Sequence, residues 1–177
     1  MTTETLERVD LDTLNSIADR AFAQMVAMIH IANNRKEKQP GDPKVGGHPA
    51  ACASCYHVLG ALHLVVRRVE DYVACKPHAS PIDHAYHHLM RLFRREDGTW
   101  LEDGEQKGAM HRLRKFALPG ESDVFQSYHA KSDPDSFHFL PSGTVGIPPV
   151  NSAYLALAYR FAKDHGHDVP ENAHFWS

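Results

Sequence analysis

Apolar residues recur at Leu14, Ile17, Ala18, Ala21, Phe22, Met25, Met28, Ile29 and Ala32, the spacing of one helix face, with Asp12 or Thr13 ahead of it as a cap. The charged stretch Asn33 to Lys44 carries Pro40, Gly41 and Pro43 and reads as an exposed loop. Val45-Gly46-Gly47-His48-Pro49 then opens a helix expected from about Pro49 to Arg67. Its first turns are small (Ala50, Ala51, Cys52, Ala53, Ser54), which suits close approach to another backbone or a ligand. Cys55, Val58, Leu59, Leu62, Val65 and Val66 are expected on its inner face. Asp71 to Cys75 is a short strand candidate, followed by the loop Lys76 to Pro81 and a helix from Pro81 to Phe93 with Ile82, Ala85, Leu89, Leu92 and Phe93 inward. Strand, loop and helix in that order form an α/β unit.

Beyond it the pattern weakens. Glu96 to Gly108 reads as a loop or helix start, and Met110, Leu113 and Phe116 suggest a short helix. Pro119 to Pro141 is irregular, and so long an irregular stretch in a compact domain is usually functional or mobile. Ser142 to Pro149 leads into a clear helix ending near Gly166, with Val150, Ala153, Tyr154, Leu157, Ala158 and Phe161 as its inner face. Asn172 to Ser177 reads as the opening of a second strand.

The 177 residues suffice for one domain, with residues 1–12 expected to be disordered. The net charge of -3 with no long basic run argues against nucleic-acid or anionic-membrane partners, and no apolar run reaches spanning length. No secretory pattern opens the chain, so a cytoplasmic location is expected. Cys52 and Cys55 form a C-x-x-C pair, but inside an apolar helical pattern without a second pair they read as packing residues. Fourteen histidines are unusual, and only their context separates metal binding, proton transfer and surface solvation.

Three loops beside helix starts carry the candidate chemistry: Gly46-Gly47-His48-Pro49, Lys76-Pro77-His78-Ala79-Ser80-Pro81 and Gly143-Thr144-Val145-Gly146. Helix amino ends suit an anion such as a diphosphate, and a histidine there can donate to an oxygen that gains charge. In order and spacing these elements, with Ser127-Tyr128-His129 upstream of the last, resemble the thiamine-diphosphate enzymes of the transketolase and homodimeric pyruvate dehydrogenase kind, over roughly Leu14 to Ser177. The resemblance implies an α/β fold, here the helix-rich N-terminal portion of a parallel-sheet cofactor domain. It implies that His48, His78 and His129 serve the reaction. His48 and His78 would face substrate oxygens beside the cofactor, His129 would face the substrate channel, and Gly143, Thr144, Val145 and Gly146 would approach the cofactor by their backbone. Lys76-Pro77 stands where transketolases carry Asn-Gly, which leans the resemblance towards the dehydrogenase side.

By the same resemblance, the complete enzyme uses thiamine diphosphate with Mg2+ and is a homodimer. The Gly-Asp-Gly-type motif that holds the Mg2+ would follow Ser177. The chain is therefore expected to act with the remainder of the enzyme or a second subunit, and to be inactive alone. Two other readings stand beside this one. One is a non-catalytic interaction domain pairing with a related enzyme, using Phe175 and Trp176. The other is a histidine-rich metal-binding protein, for which His84 and His88 form an i, i+4 pair; a solvated helix face is the blander account of that pair.

Overall fold

The structure, a computed structural model, describes residues 10–36, 40–41, 48–114, 125–126, 128–136 and 143–177. Gly46, Gly47, Phe116 and most of Pro119 to Pro141 lie outside the described residues.

Helix α1 spans Leu11–Asn34. Asp10 caps it by accepting from the Asp12 amide at 3.1 Å, two positions before Asp12, the nearer of the expected caps. Residues 10–12, expected to be disordered, thus begin the helix. The expected face is the one that packs: Ala18, Ala21, Met25, Met28, Ile29 and Ala32 are buried.

The single helix expected over Pro49 to Arg67 is broken. Helix α2 (Pro49–Ala53) stops where the Ser54 hydroxyl and Cys55 thiol donate back to the Ala51 carbonyl. Helix α3 (Tyr56–Ala61) restarts and runs into a wide π-helical turn, Leu62–Val66. Break and turn reset the phase of the helix. Leu59, Gly60 and His63 are buried, whereas Val58, Val65 and Val66, expected inside, are exposed.

Strand β1 is shorter than expected, Tyr72–Val73, and pairs in parallel with β2, Phe175–Trp176, in the register Tyr72↔Phe175 and Val73↔Trp176. Asp71 fastens the pair. Its carboxylate accepts from the His174 amide at 2.8 Å, the Trp176 indole at 2.9 Å and the Arg68 amide at 3.1 Å. After a 3-10 turn, Pro77–Ala79, comes α4, Ser80–Leu89. It ends four residues before Phe93 because Arg91 adopts a left-handed φ of 58°, with the Leu92 amide donating to the His87 carbonyl and the Arg91 amide to that of His88. This reversal sends Phe93 into the core. Helix α4 is the centre of the molecule: every residue from Ser80 to His87 is buried, polar ones included. A helix buried all round cannot be recognised from one apolar stripe.

Helix α5, Asp103–Met110, closed by a Glu102/Glu105 capping box, precedes the short helix expected around Met110 to Phe116. Helix α6, Ile147–Asp164, forms as expected but turns its other face inward. Only Pro148 and Ser152 are buried, and Ser152 Oγ donates to the Trp176 carbonyl. Val150, Ala153, Tyr154, Leu157, Ala158 and Phe161, read as an inner face, are exposed among the described residues. The helix carries a second half-buried row, Leu155, Ala156, Tyr159 and Ala162, and Tyr159 meets Phe175 of β2 edge-on at 5.4 Å. No described helix is long and apolar enough to cross a membrane.

Gly60 of α3 packs against Tyr86 of α4. A Cβ there would lie 2.6 Å from the hydroxyl of buried Tyr86, which donates to the Tyr56 carbonyl. Gly60→Ala gains up to about 1 kcal/mol of helix propensity but forces overpacking that costs about 1–3 kcal/mol. The expected result is a net loss of about 1 kcal/mol in urea unfolding. Gly104→Ala, with open space around it, should instead stabilise by about 0.5–1 kcal/mol.

Candidate functional site

Two polar centres flank α4. The first is a shallow, open pocket where the chain leaves β1, lined among others by His48, His78, Ser80, Arg114 and Tyr128. The rings of His48 and His78 meet edge-on at 4.3 Å, although thirty positions separate them in sequence, and Tyr128 faces His78 at 5.7 Å. Cys52 holds the two segments together: its amide donates to the His48 carbonyl and its thiol to that of His78. Burial raises the Cys52 thiol to about 12 and that of Cys55 to about 11, so both are inert packing groups at neutral pH. Desolvation, with help from His48, Lys76 and Arg114, lowers His78, which favours the neutral imidazole.

The second centre is buried. Asp83 accepts from His63 Nε2 at 2.7 Å and from His129 Nε2 at 2.9 Å. Asp135 accepts from His84 Nδ1 at 2.7 Å and from His87 Nδ1 at 3.0 Å. Carboxylates only accept, so these four ring nitrogens carry the protons. One Arg67 nitrogen donates to the opposite nitrogens of His63 (3.0 Å) and His87 (3.2 Å), which fixes both rings as neutral tautomers. Burial lowers His87 to about 4, in agreement with that tautomer. Asp83 would be raised by burial alone, but bonds from His129 and His63 hold it well below the usual carboxylate range. Asp135 is lowered in the same way by His84 and His87.

Of the residues singled out from sequence, His48 and His78 are brought together. His129 sits apart from them in the buried centre, bonded to Asp83. Gly143, Thr144, Val145 and Gly146 form an exposed turn, with Gly146 at φ 91° capping α6. His84 is fully buried, and half-buried His88 turns to Gln24 of α1 at 2.9 Å, so the two do not act as a pair. Sequence reasoning passed over His63, Asp83, Asp133 and Asp135. The signal for them was Asp83-His84-x-x-His87 on one helix, with His129-x-x-x-Asp133-x-Asp135 downstream.

The chain matches no protein-family model, no curated protein and no solved structure.

Proposed function

We propose that the chain supplies one wall of the active site of a thiamine-diphosphate enzyme of the transketolase or 2-oxo-acid dehydrogenase kind, with His48 and His78 facing the substrate. The observation that carries this reading is the meeting of His48 and His78 in one pocket just past the carboxyl end of β1. In open parallel sheets that end of the strands is where ligands bind. Imidazoles held there, one of them favoured neutral, suit hydrogen bonding to a substrate carbonyl or hydroxyl that gains negative charge. The amino end of α4, at Ser80 and Pro81, adds partial positive charge to the same pocket.

The described residues do not enclose the cofactor. The named lining of the pocket offers no carboxylate as a hard oxygen ligand for Mg2+, and open space surrounds Gly143 and Gly146. The rest of the site would come from the remainder of the enzyme or a second subunit, and the reading is confined to hydrogen bonding by His48 and His78.

Histidine-ring NMR tests it. Millimolar thiamine diphosphate with Mg2+ and pyruvate should shift the His48 and His78 resonances and leave buried His87 unmoved. His78→Ala should abolish the His48 response. If neither ring responds, the pocket is not the substrate side of such a site.

A further inference from the structure

The buried centre holds more acceptors than its own donors satisfy. His84 spends Nδ1 on Asp135, which makes Nε2 a lone-pair nitrogen; it is buried and has no hydrogen-bond partner. Asp135 takes both imidazole bonds on Oδ2, and its buried Oδ1 likewise has no partner. Two orphaned acceptors in one desolvated cluster call for a cation rather than a donor side chain.

The surroundings agree. One donor atom each from His84, His129, Asp133 and Asp135 lies within 4.8 Å of the other three, and all four residues are buried. The His84 and His129 rings stand edge-on at 4.8 Å. His129, with Nε2 donating to Asp83, has Nδ1 as its basic nitrogen, and His84 is backed in the same way by Asp135. An imidazole that donates one nitrogen to a carboxylate and offers the other is the usual arrangement around a bound metal. Asp133 is oriented by the Gln126 amide at 3.1 Å and the Ala130 amide at 3.0 Å, one on each oxygen. Three of the four donors come from one short turn, 129–135, and the fourth from α4.

We infer that His84, His129 and Asp133, with Asp135 backing His84 through Nδ1, form a binding site for a divalent metal of the zinc class, independent of the His48–His78 pocket. Two imidazole nitrogens and a carboxylate suit zinc-class chemistry better than Mg2+ or Ca2+, which favour oxygen alone. Three protein ligands leave the fourth position to a water, and the metal pins the 129–135 turn to α4. A site this enclosed loads as the chain folds.

The test is to unfold the full chain with chelator, refold it with Co2+ alone, and desalt it. One retained equivalent with the intense visible bands of four-coordinate cobalt, displaced by Zn2+, is the expected result, together with a higher thermal midpoint than the metal-free refold. Retained cobalt with only the weak bands of six-coordinate surface binding, or none retained, would overturn the proposal in wild-type protein without any variant. Asp133→Asn, checked for folding by circular dichroism, should weaken retention about 10–100-fold. Unchanged retention in folded Asp133→Asn would equally refute the assigned ligands.

Discussion

Asp83→Ala should lose about 3–5 kcal/mol of stability, a large part of what a domain of this size possesses. Asp83 is fully buried in the middle of α4 and is the shared acceptor for His63 of the π-helical turn and His129 of the downstream turn. Removing it strands two buried N–H donors and opens a cavity in the most enclosed part of the molecule. The favourable term being lost is more than one hydrogen bond, because Arg67 and both partner rings are held in place through the same network. Asp83→Asn keeps the shape and one acceptor oxygen, so it should recover part of the loss. Equilibrium unfolding in urea, followed by circular dichroism, decides the matter. A value for Asp83→Ala within 1 kcal/mol of wild type would mean that the network contributes little beyond packing.

The second large effect is acid loss of the β1–β2 junction. Asp71 is buried; burial alone would raise its carboxyl, but bonds from Trp176, His174 and Arg68 outweigh that and hold it at about 2. The unfolded carboxyl titrates near 3.9, so the folded value is depressed. The stabilisation is therefore complete above about pH 4 and disappears as pH falls towards 2, with a span of about 2 kcal/mol. Asp71→Asn should mimic the acid state at neutral pH, since its amide group would face a donor, and cost about 2–3 kcal/mol. Trp176 reports on the junction directly, while the exposed Trp100 gives a constant background. If fluorescence-detected stability is flat between pH 4 and 2, Asp71 is not the acid-labile fastening.

Helix α1, the strand near residue 72, the last helix and the strand at Phe175–Trp176 were legible because their apolar spacing is regular and their ends carry turn or cap residues. The meeting of His48 and His78 was legible only through the order of motifs. The buried centre was not. Sequence reasoning treats Asp, His and Arg as surface residues, and α4 buries Asp83, His84 and His87 because each finds a partner from another segment, up to 51 positions away. Long-range satisfaction of polar groups leaves no local periodicity to read. The inner face of α6 failed for a different reason: two apolar rows lie on one helix, and β2 decides between them.

The parallel pairing of β1 with β2 has a kinetic consequence. The His174 amide and Asp71 are 103 positions apart, so closing that contact from an open chain costs about 4 kcal/mol of loop entropy before any of its few bonds can repay it. The junction is therefore expected to close after the contact between α1 and α4 has shortened the effective loop, and the Tyr72 and Ala74 amides, bonded across it to His174 and Trp176, should exchange hydrogen faster than those of α4.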